Sequence, residues 1–159
     1  MKITILAVGK IKEDHFVSAV KEYGKRLKPY CSLKIIELKD EKTPQDPSER
    51  EKELVLQKEE ERIAEKLPQD AYLVLLDPRG KEMTSEKFAL FMEELPLKGF
   101  SHLCFVIGGS MGLAERLKTK AHLLLSFSKF TFPHQLFRVI LLEQIYRGFK
   151  IIKNEPYHK

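Results

Sequence analysis

The 159-residue chain has no tryptophan, two cysteines, and no apolar run near the roughly 20 residues a membrane-spanning helix needs. With 43% apolar and 32% charged residues, the composition is that of a soluble globular protein, long enough to close one core. The apolar run at 3–8 is too short for a signal-peptide core and no small-residue cleavage site follows it, so a cytoplasmic location is expected. Cys31 and Cys104 form no CxxC and Cys104 lies in an apolar stretch, so two reduced thiols are expected.

Several catalytic strings are also missing. There is no GxxxxGK(S/T) to cradle a triphosphate, and no GxGxxG after an early strand with an acidic ribose partner downstream. There is no HExxH and no GxSxG, and the histidines at 15, 102, 122, 134 and 158 have no ligand spacing, so no metal is expected. His102 and His122 read as strand-start residues without a special role. Ser126 and Ser128 have no His–acid arrangement nearby, so nothing favours a covalent hydrolase.

What is present is unevenly placed. Net charge is +5, yet residues 110–159 hold nine Lys/Arg against three Asp/Glu, so the excess lies in the last third. A basic surface of this kind fits either a polyanionic partner, nucleic acid first, or an ordinary solvated face.

Strand-like and helical patterns alternate. Lys2–Val8 reads as a strand ending at Gly9. Asp14 is placed to cap a helix carrying Phe16, Val20, Tyr23 and Leu27, with Pro29 beyond it. A second strand covers 33–38 and a polar loop 39–47. Ser48 and Glu51 form a capping box for a charge-dense helix to about Leu67, whose Glu59-Glu60-Glu61 reads as part of a solvated face rather than a functional cluster. A third strand at 72–76 is closed by Asp77-Pro78-Arg79-Gly80. Thr84 or Ser85 starts a helix with Phe88, Phe91, Met92 and Leu95, and a strand at His102–Ile107 follows. A short helix at 114–120, a strand at 122–125 and a helix from Pro133 to about Lys153 complete the chain. The alternation predicts one α/β domain, residues 1–159, with a mostly parallel sheet covered on both faces.

The last helix is apolar around most of its circumference, leaving a narrow polar stripe of Glu143, Arg147 and Lys150. One sheet does not cover so much apolar surface, so packing against a second copy, a homodimer, is expected. Arg138 falls among Leu142, Ile145 and Phe149 and needs an anionic or carbonyl partner, either structural or a substrate phosphate.

Two loops of small and polar residues follow the last two strands: Gly108-Gly109-Ser110-Met111-Gly112, and Ser126 through Pro133. Strand-end loops are where an α/β protein places its ligand. Lacking a phosphate cradle, these suit a ligand read by its base edge and ribose; a tight turn with no ligand is the other reading of the glycines.

The segments Phe105-Val106-Ile107-Gly108-Gly109-Ser110-Met111-Gly112-Leu113 and Ser126-Phe127-Ser128-Lys129-Phe130-Thr131-Phe132-Pro133-His134, the helix with Arg138 and Tyr146-Arg147, and the final Pro156-Tyr157-His158-Lys159 together resemble one family. The chain is similar over essentially its whole length to the bacterial ribosomal large-subunit pseudouridine methyltransferases of the SPOUT superfamily, with Met111 standing where Asn or Glu is the family's residue. The resemblance implies a SPOUT-type parallel-sheet fold with a C-terminal trefoil knot within about 102–159, an exception to the rule against threaded chains. It implies S-adenosyl-L-methionine in the knot, a homodimer, and methyl transfer to N3 of pseudouridine 1915 of 23S rRNA in the assembled ribosome. Carried over by position, the cofactor pocket takes Leu76, Gly108, Gly109, Phe127, Ser128, Lys129, Phe130, Thr131 and Phe132. The tail residues Tyr157, His158 and Lys159 complete the site across the dimer and meet RNA, and Arg138 and Arg147 contribute RNA or dimer contacts. Side-chain chemistry nominates His158 and the Arg138 guanidinium as the catalytic groups that help the imide proton leave. A non-catalytic RNA-binding, ribosome-assembly module on the same basic face is the alternative from another functional class.

Overall fold

The computed structural model describes residues 1–158. Five strands form one sheet in the order β2-β1-β4-β3-β5, and every pairing is parallel. In chain order the elements are β1 (Lys2–Val8), α1 (Asp14–Leu27), β2 (Ser32–Leu38), α2 (Glu49–Ala64) and β3 (Tyr72–Glu82). They continue with α3 (Ser85–Glu94), β4 (His102–Ile107), α4 (Glu115–Lys118), β5 (Leu123–Ser126) and α5 (His134–Ile152). The strands are rich in Ile, Leu and Val because both faces of the sheet are covered.

The two-residue period of the strands sorts their side chains between two cores. Ile3, Ile5, Val74, Leu103 and Phe105 face Leu27 of α1, Phe88 and Met92 of α3, and Leu141, Leu142 and Ile145 of α5. Leu6, Val8, Leu73, Leu75 and Val106 face the other way, against Ile63 of α2 and Leu117 of α4. Each such side chain contributes roughly 1.5–3 kcal/mol when fully buried.

The capping box is present: the Glu51 N–H donates to Ser48 Oγ at 3.3 Å, and Glu51 Oε2 accepts the Ser48 N–H at 2.7 Å. Asp14 is not a cap. It is the first residue of α1; Glu13 occupies the cap position without a side-chain bond. The N–H groups just before that helix are satisfied from elsewhere, Ile11 by Glu37 Oε1 at 2.9 Å and Lys12 by Gln135 Oε1 at 2.8 Å.

A second departure shapes the site. The third strand does not end at Leu76. Leu76 and Lys81 both pair with Leu125, so residues 77–80 are looped out of a strand that resumes at Lys81. The charged and proline-containing segment read as a terminus is an irregularity inside β3. The last helix also has more internal cover than its circumference predicts, since α1 and α3 flank it on the same face of the sheet. Leu136, Val139, Ile140 and Ile151 remain only half-buried. No helix among the described residues is long and apolar enough to cross a membrane.

Candidate active site

The C-terminal ends of β3, β4 and β5 lie side by side, and a cavity of about 470 Å³ opens there. Leu76 and the looped-out Asp77 and Pro78 form one wall, and Ile107 with Gly108, Gly109, Ser110 and Gly112 forms another. Leu125, Phe127, Ser128, Phe130, Thr131, Phe132 and Pro133 form the third, closed by His134 and Phe137 from the start of α5. The crevice outside the carboxyl ends of parallel strands is the expected ligand position in this fold class.

Glycine is required in the first loop for two separate reasons. A Cβ on Gly108 would overlap the Gly112 carbonyl oxygen, and Gly112 itself has φ of +81°. The Gly112 N–H donates to the Gly109 carbonyl at 3.0 Å and pins the turn. The second loop is held by its own serines: Ser126 Oγ donates to the Ser128 carbonyl at 3.1 Å, and the Phe130 N–H donates to Ser128 Oγ at 3.0 Å. Phe127 and Phe132 pack on Phe137, with ring centroids 5.4 and 5.7 Å away, which ties the loop to α5.

Asp77 is the anionic group of the lining. Burial acts to raise its pKa, but Lys118 Nζ at 2.7 Å and the Arg79 N–H at 2.8 Å outweigh it, holding the carboxyl at about 2. His134 is pushed the other way, its pKa lowered by burial and then by the positive charge of Arg138, so the imidazole is neutral near pH 7.

The structure brings Leu76, Gly108, Gly109, Phe127, Ser128, Phe130, Thr131 and Phe132 to one cavity. Lys129 is not in its lining; the side chain is exposed on the outer side of the loop, beside Glu82 and Phe130. Arg138 is also elsewhere, and its expected phosphate or catalytic role is corrected. Its guanidinium is 1% exposed and donates to Glu37 Oε1 at 2.6 Å and to the Val8 and Gly9 carbonyls at 3.2 and 2.5 Å. The partner left open by the sequence is therefore structural.

Within one chain the tail folds back on α5. His158 Nε2 lies 2.7 Å from Glu86 Oε1 and its Nδ1 3.2 Å from Arg147. The Tyr157 hydroxyl donates to Glu143 Oε1 at 3.2 Å, under an Arg147 guanidinium 4.8 Å from its ring centroid. Arg147 in turn donates to Glu143. None of these residues lines the cavity, and Lys159 lies outside the described residues. His134, Asp77, Pro78, Ser110 and Phe137 line it without having been nominated. The signal for His134 was its place directly after a helix-starting proline and the second loop.

Residues 1–158 match a family model described as "Predicted SPOUT methyltransferase". The chain belongs to the SPOUT methyltransferases. Within that superfamily it is 52% identical to the ribosomal RNA large subunit methyltransferase H of Clostridium beijerinckii over 159 residues, covering 100% of both chains. It is 51% identical, with the same full coverage, to the protein of that name in Clostridium acetobutylicum. These relatives place this SPOUT methyltransferase in the large subunit methyltransferase H family. The solved structure of "a probable methylase family protein" from Haemophilus influenzae Rd KW20 has a TM-score of 0.52 at 14% identity, covering 99% of this chain and 70% of that one. At that identity the likeness concerns the fold alone.

Proposed function

We propose that this chain uses S-adenosyl-L-methionine to methylate N3 of pseudouridine 1915 of 23S rRNA in the assembled ribosome, as a cytoplasmic homodimer of one-domain chains, 1–159. The observation that carries this reading is the cavity between the two strand-end loops, which suits a nucleoside without phosphate. Its walls are largely apolar, with the glycine loop bringing backbone to the lining and a few polar side chains, Ser110, Ser128, Thr131 and His134 among them. The relatives named as rRNA large subunit methyltransferases support the substrate class.

Leu76, Gly108, Gly109, Phe127, Ser128, Phe130, Thr131 and Phe132 would hold the cofactor, in a pocket whose loops follow the knotted path of the superfamily. When bound, it supplies an activated methyl group on a sulfonium. The protein's part is then to align the target nitrogen, exclude water and help the imide proton leave. Phe127, Phe132 and Phe137 keep the pocket wall dry and rigid.

Within its own chain His158 is held by Glu86 and Arg147, away from the cavity. We assign the tail of each subunit, Tyr157, His158 and Lys159, to the partner's site, with His158 as proton acceptor and Arg147 beside it as the guanidinium that meets RNA. The half-buried Leu136, Val139, Ile140 and Ile151, on the same side of α5 as Glu143, Arg147 and Lys150, supply a mixed surface for the second copy. The basic last third then faces the ribosomal phosphates.

Calorimetric titration with S-adenosyl-L-methionine, followed by labelled-methyl transfer to ribosomes lacking the modification, tests the reading. Heat of binding and transfer are expected. Salt-dependent RNA binding with neither would assign the chain to the non-catalytic class instead.

A further inference from the structure

Helix α2 carries an acid where packing alone asks for an apolar residue. Val55, Glu59 and Ile63 follow one another at four-residue steps, and these three are its buried positions. Val55 and Ile63 are ordinary core residues; Glu59 is only 4% exposed. Its Oε1 accepts the Glu41 N–H at 3.1 Å, while its Oε2 is buried with no hydrogen-bond partner among the described residues. Burial raises the pKa of this carboxyl and the Glu41 N–H offsets part of the rise. Such a group costs free energy that a leucine would not, and an unpaired buried acceptor in a folded chain calls for an explanation.

The neighbour of the free oxygen supplies one. The position a Cβ would take on Gly109 lies 2.8 Å from Glu59 Oε2 and 3.1 Å from Oε1. Gly109 also lines the cavity, so the carboxyl sits directly behind a wall of the proposed cofactor pocket. Two parts of the chain meet at this side chain: the 39–47 loop, through the Glu41 N–H, and the glycine loop. The reading of Glu59-Glu60-Glu61 as a uniformly solvated face is therefore corrected at Glu59.

We propose that Glu59 is a positioning residue for the methyl donor: its free Oε2 accepts a backbone N–H of residues 108–111 when that loop closes on bound S-adenosyl-L-methionine. This rests on the reading of the cavity given above. The acceptor is held in place beforehand by α2 and by the Glu41 N–H, so closure orders only the loop. A carboxylate in a low-dielectric site makes a stronger acceptor than water does, which favours the closed loop. Glycine at 109 is what lets the acid approach.

The test is Glu59→Gln in the full chain. With the glutamine oxygen kept on the Glu41 N–H, its NH2 stands where Oε2 was, and a donor there cannot accept a loop N–H. Calorimetry is expected to show about tenfold weaker binding of S-adenosyl-L-methionine, equivalent to about 1.4 kcal/mol. The KM for the donor should rise in step while kcat and the KM for ribosomes hold, and the unfolding midpoint should be unchanged or higher. Unchanged donor affinity in the folded variant overturns the proposal, and so does a loss of affinity matched by a loss of stability, which makes Glu59 structural only. If the variant does not fold, hydrogen exchange in the unmodified protein decides: added donor must slow an amide of residues 108–111, and no slowing overturns the proposal. Absence of donor binding to the unmodified protein is a different result, because it removes the cofactor reading itself.

Discussion

Arg138 and Glu37 form an ion pair across the end of the sheet, with Nη1 2.6 Å from Oε1, although they are 101 residues apart. The same guanidinium reaches the carbonyls of Val8 and Gly9, so α5, β1 and β2 are joined at one point beside the cavity. Glu37 Oε1 also accepts the Ile11 N–H, linking the start of α1 to the same point.

Replacing Arg138 should therefore act on stability. Arg138→Leu takes the guanidinium from Glu37 and from two carbonyls and is expected to cost about 3 kcal/mol, the low end for a broken buried pair because Glu37 is 34% exposed and keeps the Ile11 N–H. Denaturant unfolding measures it. A stable variant that had lost only RNA binding would restore the phosphate-contact role.

Gly108→Ala places a Cβ against the Gly112 carbonyl. Overpacking of this kind costs about 1–3 kcal/mol, so donor affinity is expected to fall roughly 10- to 100-fold. Calorimetry on the folded variant checks this; wild-type affinity would mean that the loop is not part of the donor site.

Removing residues 157–159 is expected to abolish methyl transfer while leaving donor binding close to normal, because Tyr157 and His158 do not line the cavity of their own chain. His158→Ala alone should lower kcat about 100-fold, the lower range for a lost general base. Mixing the truncated chain with a chain carrying Gly108→Ala should recover activity in the mixed dimer, one subunit supplying the tail and the other the pocket. Failure of that rescue alongside active wild-type dimers would confine the tail to its own subunit.

Asp77 makes stability pH-dependent. Its pKa is held at about 2, below its ordinary value of 3.8, so its contribution is present above the unfolded value and is lost as pH falls from near 4 toward 2. The shift corresponds to about 2 kcal/mol. Asp77→Asn should be less stable than the unmodified protein at pH 7, and the difference should shrink to little at about pH 2. A difference independent of pH in urea titrations would rule out the ion pair with Lys118 as its cause.

The half-buried side of α5 that carries Leu136, Val139, Ile140 and Ile151 is expected to close a homodimer. Light scattering at micromolar concentration should give twice the 18.5 kDa chain mass, and Val139→Glu should shift it toward the monomer. A monomeric unmodified protein would also remove the shared site.

Local patterns were legible from the sequence wherever the deciding contacts are local. The capping box at Ser48 and Glu51 and the strand at His102–Ile107 need only neighbours along the chain, and they occur as read. The glycine loop was legible because glycine marks backbone that admits no Cβ. By itself the sequence determined the alternation of strands and helices, their parallel class and the positions of two small-residue loops, since propensity and periodicity act over a few residues. Only the tertiary structure decided that β4 lies between β1 and β3, which brings Leu76, Ile107 and Leu125 to one cavity. It decided that residues 77–80 leave a continuing strand, because β5 supplies partners on both sides of the excursion. It decided that Arg138 answers to Glu37 and that Glu59 stands behind Gly109. Those are contacts between residues distant in the chain, and the burial that makes an ordinary charged side chain consequential exists only once the sheet and its helices have packed.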